Sequence, residues 1–147
     1  MSPAFDSPSG PVLAVPIDLR SHPWTTPEMR YNGVFEFLRS RDIPNNSRHW
    51  SVAAEVTLIA ETPQTCAVHF GYSDELTLSV NDQLILYLDD SYRFAENRQQ
   101  GVMHPEQVTA YLPLKKGENL LRAIVSDRFG GWGLSARVQD CNDIELR

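Results

Sequence analysis

An alternation of apolar and polar side chains begins at Trp50, and it constrains the fold more than any other feature of this chain. Between residues 50 and 60 an apolar side chain stands at every second position, which is the period of a strand with one buried face. This pattern predicts an all-β fold, an antiparallel sandwich or barrel, because no convincing long helix separates the segments. The same period recurs at short spacing, with turn residues between, in residues 66–72, 76–80, 84–88, 108–114 and 132–138.

Two turns and one densely apolar segment add detail to this prediction. Asn81-Asp82 separates two alternating segments, so we expect residues 76–88 to form a hairpin. Residues 115–119 are expected to form a second turn, and residues 120–126 are apolar on nearly both faces, as in a central strand. The side chains expected to point into the core are Trp50, Val52, Val56, Leu58, Val68, Phe70, Leu76, Leu78, Val80, Leu112, Leu121, Ala123, Val125 and Leu134.

The length of the chain suits one domain. With 147 residues, of which 41% are hydrophobic, it can enclose one full core and is too short for two ordinary domains. We place the sandwich at residues 12–140, after a flexible tail at residues 1–11 that is rich in serine and proline. Residues 12–19 are interpreted as an edge strand, residues 31–39 as a strand or an amphipathic turn, and residues 141–147 as a tail or an edge strand.

Composition and charge exclude several classes of partner. The formal net charge is −6 with acids and bases interspersed, so we expect no surface that follows a nucleic-acid backbone. No stretch is long enough to span a bilayer, and the first residues lack the basic start and apolar run of a secretory signal. We therefore expect a cytoplasmic protein in which Cys66 points into the core and both Cys66 and Cys141 are free thiols. A homo-oligomer is left open.

Residues 89–106 (DDSYRFAENRQQGVMHPE) interrupt the strands with 18 positions that show neither strand alternation nor a helical pattern. Connections of more than about 12–15 residues without secondary structure are uncommon in compact domains, and they are usually functional or disordered. Because this one carries Tyr92, Arg93, Arg98 and His104, we interpret it as functional. His104 is the only histidine that we consider as a general acid or base.

A second candidate segment is residues 129–133 (FGGWG), whose glycines allow a ligand or another backbone to approach closely. Trp132 is either a core side chain or a platform for a sugar, and Arg128 precedes the segment. Arginine, acid and tyrosine side chains that converge can orient a polyhydroxylated or carboxylate ligand. Asp89 and Asp90 are the residues that would hold a structural calcium ion, but the chain lacks a consecutive ligand loop, so no metal or cofactor is expected.

Three stretches, FGYSDELTLSVNDQLIL, DDSYRF and TAYLPLKKGENLLRAIVSDRFGGWGLSARV, follow one another within residues 50–138. In this order they resemble galactose-binding-domain-like jelly rolls, which include carbohydrate-binding modules. Such modules have a Ser-Asp turn before a strand that ends in Asn-Gly, here Asn81-Asp82, and a later Leu-x-x-Gly-x-Asn, here beginning at Leu114. The resemblance implies a galactose-binding-domain-like, antiparallel jelly-roll β-sandwich with a ligand site among the loops at one rim, often for sugars and often beside a structural calcium ion.

Three functions remain open from the sequence. We favour a non-catalytic module that binds a small ligand, with carbohydrate as the first candidate, at the rim formed by the long connection and residues 129–133. The alternatives are a small-molecule cyclase or isomerase that uses the jelly-roll pocket, and a protein-interaction subunit that uses a sheet face or an edge strand. The residues expected at the rim are Tyr92, Arg93, Arg98, His104, Arg128 and Trp132.

Overall fold

The computed structural model describes residues 1–2, 5–6, 10–12, 24, 35–36, 49–91, 103–127 and 133–147. Over these residues the backbone forms ten strands and no helix. Three strands are short: β1 (Phe5–Asp6), β2 (Phe35–Glu36) and β10 (Ile144–Leu146). The longer strands are β3 (Trp50–Ala60), β4 (Gln64–Ser73), β5 (Glu75–Val80), β6 (Gln83–Asp89), β7 (Val108–Leu114), β8 (Gly117–Asp127) and β9 (Gly133–Asp140).

The strands form two antiparallel sheets with the core between them. The larger sheet has six strands in the order β1-β3-β8-β5-β6, with β10 also paired to β3, and the smaller has four in the order β2-β9-β4-β7. From β3 to β9 the chain changes sheets at every connection except the β5–β6 hairpin, which is the connectivity of a jelly roll. The predicted all-β antiparallel sandwich is confirmed. Within the described part of the chain, no helix is long and apolar enough to cross a membrane.

The core consists of the inward side chains of both sheets, at the positions that the alternation predicts. All the residues of the predicted inward set are buried except Trp50 and Val56, which are half-buried and pack against the same cluster. Val125 at the centre of the larger sheet and Leu112 in the smaller sheet are fully buried. Burial of such side chains contributes about 1.5–3 kcal/mol each, so this cluster is the main stabilising element of the sandwich.

The β5–β6 hairpin turns at Asn81 and Asp82, whose φ values of 51° and 63° are both positive. Two consecutive left-handed residues make the type of turn whose twist matches that of the paired strands, and Asn and Asp adopt this conformation more readily than most side chains. The strands pair from Val80 opposite Gln83 to Glu75 opposite Asp89. The hairpin predicted from the sequence is therefore confirmed.

Asn119 joins this turn to the next turn at the same end of the sandwich. Its side chain is fully buried, and its Oδ1 accepts hydrogen bonds from the N–H of Lys115 at 2.9 Å and from Nδ2 of Asn81 at 3.1 Å. Nδ2 of Asn119 donates to the carbonyl oxygens of Lys115 at 2.8 Å and Gly117 at 2.9 Å. The turn is shorter than the predicted residues 115–119, because β8 already begins at Gly117.

The outer face of the larger sheet carries a second apolar cluster, which the alternation does not predict. Ala53 and Ile124 point away from the core and are nevertheless buried, under Phe5, Val12 and Trp24. A central strand that is apolar on both faces needs cover on both, and residues near the N-terminus supply it here.

The N-terminal residues that cover this face are also hydrogen-bonded to the edge of β3. Ser2 donates its N–H to the carbonyl oxygen of Ala53 at 2.9 Å and accepts the N–H of Ala53 at its hydroxyl at 3.0 Å. Phe5 lies opposite Ser51 in the β1–β3 pair. The flexible tail over residues 1–11 stays a prediction; of its described residues Met1, Ser2 and Phe5 are buried, and Pro11 is exposed.

The expectation of two free thiols is wrong, because Cys66 and Cys141 form a disulfide with a Cα–Cα distance of 4.9 Å. Cys66 points into the core as its parity predicts. The pairing follows from the β4–β9 register, in which Ala67 lies opposite Asp140 and the next residues toward the sheet end are the two cysteines. With a sequence separation of 75, the cysteines are brought together by the pairing of distant strands.

Candidate binding site at one rim of the sandwich

The predicted site residues belong to two segments that lie largely outside the described residues. Tyr92, Arg93, Arg98, Arg128 and Trp132 fall outside them, and their convergence stays a prediction. His104 is described and is exposed. The strand ends that flank both segments are described, and they define the rim from which the segments extend.

Asp74 links the strand ends on either side of these segments. It is fully buried between β4 and β5, and its N–H donates to the carbonyl oxygen of Ser126, near the end of β8, at 3.0 Å. The carbonyl oxygen of Asp74 accepts the N–H of Asp90, directly after β6, at 2.9 Å. In the smaller sheet Ser73 at the end of β4 lies opposite Gly133 at the start of β9. The described residues that flank 92–102 and 128–132 therefore lie at one rim of the sandwich.

Gln107 closes the base of the long connection. Its Nε2 donates to Oδ2 of Asp90 at 2.8 Å, which ties the residue before β7 to the residue after β6. Its Oε1 accepts the N–H of Tyr72 at 3.3 Å, and its own N–H donates to the carbonyl oxygen of His104 at 3.2 Å. The described residues on either side of 92–102 are thus close together, and Asp90, His104 and Gln107 are hydrogen-bonded to the sandwich or to one another.

Gly71 provides the surface on which the returning end of the connection lies. It stands on the outer side of β4, and a Cβ at this position would collide with the carbonyl group of His104 and with Oγ of Ser135. Ser135 is opposite Gly71 in β9, and its buried hydroxyl has no hydrogen-bond partner in the part of the chain that the structure describes. A glycine is required here because backbone atoms, which cannot move aside like the end of a long side chain, occupy the space.

The electrostatic character of the rim is acidic in its described part. Burial, and then the charges of Asp90 and Asp89, raise the pKa of Tyr72 from 10.0 to about 12. The phenol of Tyr72 therefore keeps its proton to a higher pH than an ordinary tyrosine does. Oδ1 of Asp89 accepts the N–H and the hydroxyl of Ser91, at 3.0 and 2.5 Å.

A second polar cluster lies nearby on the outer face of the larger sheet. Glu75 is almost completely buried, accepts the hydroxyl of Tyr87 at 2.7 Å, and lies 3.2 Å from Nε2 of His49. The hydroxyls of Ser51 and Ser126 are 2.5 Å apart on the same face. The sequence did not reveal this cluster, because Glu75 occupies an ordinary outward position and His49 is distant from it along the chain. Gln107 was not among the predicted site residues, because its partners Asp90 and Tyr72 are likewise distant from it along the chain.

No group of three or more His, Cys, Asp and Glu side chains within the described residues could hold a metal ion. Asp89 and Asp90, which the sequence offers as calcium ligands, use carboxylate oxygens for hydrogen bonds to Ser91 and Gln107. The described rim is thus organised by hydrogen bonds. A calcium requirement stays a question for chelation experiments.

No family model matches this sequence, and no curated protein matches it either. Among solved structures, a selenomethionine-labelled β-glucosidase from Kluyveromyces marxianus is similar with a TM-score of 0.52 and 18% sequence identity. The similarity covers 76% of this chain and 13% of the β-glucosidase, so this chain corresponds to a small part of that enzyme. At this identity the likeness concerns the fold alone, and it agrees with the two-sheet sandwich.

Two further structures have lower TM-scores. A family 35 carbohydrate-binding module from an environmental isolate has a TM-score of 0.43 and 24% identity, over 69% of this chain and 71% of the module. The Kluyveromyces marxianus β-glucosidase in complex with glucose has a TM-score of 0.44 and 18% identity, over 65% of this chain and 11% of the enzyme.

Proposed function

We propose that this chain is a non-catalytic carbohydrate-binding module of the galactose-binding-domain-like kind. Its site is the rim from which residues 92–102 and 128–132 extend. The sandwich fold and the resemblance of residues 50–138 to that family support the proposal. Support for carbohydrate binding itself comes from the residues at the rim, because proteins that share one fold have many different functions.

The observation that carries the proposal is the pair of backbone hydrogen bonds made by Asp74. They join the end of β6 to the end of β8, so the two segments with most of the candidate side chains start from adjacent points. The long connection is also narrow at its base, since Gln107 and Asp90, which flank it, are hydrogen-bonded to each other. Two separate segments that start side by side can surround a small ligand without any long-range rearrangement.

The residue types in these segments suit a sugar. Tyr92 and Trp132 offer aromatic faces, and the C–H faces of pyranose rings pack on such surfaces. Arg93, Arg98 and Arg128 offer several fixed N–H donors each, and Asp90 adds a carboxylate acceptor. A short oligosaccharide, with alternating apolar and hydroxyl-bearing faces, uses all three kinds of group at once.

Binding to a panel of soluble polysaccharides, followed by calorimetry with oligosaccharides of the best one, tests the proposal. Arg93→Ala and Trp132→Ala are the rim variants. Arg147→Ala, beyond β10, and Tyr111→Ala, whose residue is 67% exposed on β7, are their matched controls. Loss of an arginine that contacts the sugar should weaken binding by roughly 1.5–3 kcal/mol. The controls should bind like the parent protein.

Two results would contradict the proposal. Equal binding by the parent, Arg93→Ala, Trp132→Ala and His104→Ala would show that the rim is not the site. Conversion of the bound sugar by the parent protein, lost in His104→Ala while binding is retained, would show an enzyme in place of a binding module. Circular dichroism of each variant confirms that the sandwich remains folded.

A further inference from the structure

The C-terminal strand β10 is short and weakly buried. It lies on the outer edge of β3, where Ile144 is opposite Ala60, and Arg147 exchanges both backbone hydrogen bonds with Thr57, at 2.9 and 3.0 Å. Ile144 is half-buried against the core, whereas Leu146 is 58% exposed. A strand of three residues with one partly buried side chain has little intrinsic stability, because its few contacts must offset the entropy of ordering the backbone.

Two tethers immediately before β10 hold it in position. Cys141 follows β9 and is bonded to Cys66 at the start of β4, in the smaller sheet. The amide of Gln64 holds the next residue, since its Oε1 accepts the N–H of Asn142 at 3.0 Å and its Nε2 donates to the carbonyl of Asn142 at 2.7 Å. Asp143, with φ of 44°, then turns the chain toward the larger sheet. The disulfide is the covalent tether, and the hydrogen bonds of Gln64 are exposed to solvent.

A covalent tether next to a weak strand raises its effective concentration at the edge. β10 already belongs to the same chain, so the disulfide acts by fixing Cys141 to β4, which shortens the free segment before β10 and raises the local concentration of β10 at the edge. Without the disulfide, β10 depends on the solvent-exposed hydrogen bonds of Gln64, its own backbone hydrogen bonds and one half-buried side chain. The edge of β3 near Thr57 then presents unpaired N–H and C=O groups, as an open sheet edge does.

We propose that the Cys66–Cys141 disulfide is a redox latch for β10, a property that is separate from the proposed carbohydrate binding. In the oxidised protein β10 covers the edge of β3, and in the reduced protein β10 is released and the edge is open. The half-buried Cys141 is the sulfur that a dithiol reductant attacks: its thiolate bonds to Sγ of Cys141, and Cys66 leaves as a thiolate. The second thiolate of the reductant then displaces Cys141. Two electrons pass to the cysteines, each cysteine takes a proton, and the dithiol becomes a cyclic disulfide.

β10 covers one half of the outer edge of β3, so its release opens that half. Ser2 and Phe5 cover the other half, opposite Ala53 and Ser51, and no cysteine holds them. Disulfides persist in oxidising compartments, so the closed form belongs to a protein that works outside the reducing cytoplasm. In the cytoplasm, the location expected from the sequence, the latch would be open.

Amide hydrogen exchange measured by NMR, with and without a dithiol reductant, tests the latch. In the oxidised protein the amides of Thr57 and Arg147, which pair with each other, should be protected. Reduction should accelerate their exchange about tenfold or more, as expected for local opening, and leave the amide of Val125 in β8 protected. Cys141→Ser should behave like the reduced protein. Gln64→Ala, which removes only the side-chain hydrogen bonds, is the matched control and should keep both amides protected.

Two outcomes overturn the proposal. If the amides of Thr57 and Arg147 are equally protected before and after reduction, the strand docks without the disulfide. If Val125 loses protection together with them, the disulfide supports the whole sandwich and does not act as a local latch. Reduction of the parent protein decides between these results even if Cys141→Ser folds poorly.

Discussion

The backbone carbonyl of His104 lies over the α-carbon of Gly71, in the space that a side chain at residue 71 would occupy. The path of the returning end of the long connection therefore depends on the absence of a side chain in β4. Gln107 adds the hydrogen bonds that keep this end beside Asp90 and Tyr72. Gly71, which lies outside the connection, thus determines where the connection returns to the sandwich beside the candidate site.

Gly71→Ala should consequently displace the end of the connection, because the new methyl group meets backbone atoms. We expect a loss of about 1–3 kcal/mol in the free energy of unfolding, the usual range for overpacking, and weaker carbohydrate binding. Urea denaturation and calorimetry measure the two effects. Thr65→Ala, at an exposed outward position of the same strand, should change stability by less than about 0.5 kcal/mol. Unchanged binding by Gly71→Ala would show that carbohydrate binding does not depend on where the connection returns to the sandwich.

Arg122 is buried on the outer face of the larger sheet between two acids of different exposure. Its Nε donates to Oε1 of Glu55 at 2.5 Å, and one terminal nitrogen donates to Oδ1 of Asp82 at 2.6 Å. Burial opposes the charge of Arg122, but the hydrogen bonds to Glu55 and Asp82 outweigh it and raise the pKa of the guanidinium. The side chain of Glu55 is 24% exposed and that of Asp82 is 74% exposed.

We therefore expect the two neutralising substitutions to differ. Glu55→Gln should cost roughly 1.5–3 kcal/mol, as expected for a weakened charged hydrogen bond at a buried arginine. Asp82→Asn should cost about 0.2–1 kcal/mol, the range of exposed ion pairs, and Asn retains the left-handed turn conformation. Urea unfolding of both variants gives the comparison. Equal losses would mean that solvent exposure does not set the strength of these pairs.

Truncation of the core tests the placement of β8. Leu121→Ala should cost about 2–4 kcal/mol through lost burial and the cavity that remains. Leu146→Ala and Leu84→Ala are matched controls, since these leucines are 58% and 47% exposed. The controls should lose less than about 1 kcal/mol. Similar losses for all three leucines would show that Leu121 does not belong to the core.

Tyr72 makes a specific contribution to the alkaline stability of the fold. The pKa of its phenol is raised to about 12 in the folded chain, against 10.0 as its ordinary value. Between these values the unfolded chain releases a proton that the folded chain retains, so stability is complete below about pH 10 and falls as the pH rises toward about 12.

Urea unfolding at about pH 9 and about pH 11 measures this loss. Tyr72→Phe should reduce the loss of stability over that interval, because its side chain cannot release a proton. Tyr111→Phe is the control for an exposed phenol and should retain the loss that the parent protein shows. The same decrease in the parent and in Tyr72→Phe would contradict the role assigned to burial and to the nearby acids.

The long strands from β3 to β9 were predictable because each depends on local information. The predicted edge strand at residues 12–19 lies almost entirely outside the described residues. The period of two from Trp50 onward identified β3 and placed Val52 and Leu58 in the core. The left-handed tolerance of Asn81 and Asp82 identified the hairpin. The alternation and the turn preference are properties of neighbouring residues, and both are retained when the strands pack into sheets.

The remaining features depend on contacts between residues that are distant in the chain. Ala53 is buried on its outer side only because residues near the N-terminus cross over it. The Cys66–Cys141 bond follows from the register of β4 with β9, which no local pattern specifies. The hydrogen bond from Gln107 to Asp90 belongs to the same class, so the sequence indicated which connection to consider but not how it is closed.

The two ends of the sandwich are built differently, and this separates folding from recognition. At one end the buried amide of Asn119 fastens two short turns to each other through Asn81 and Lys115. At the other end a long connection joins the sheets, and in the described part of the chain Gly71, Asp74, Asp90 and Gln107 form its base. Randomising residues 92–102 while the Asn119 end is left intact should therefore yield libraries in which most members still fold. Under the proposed function, the residues of this connection that set specificity can then be exchanged without redesign of the core.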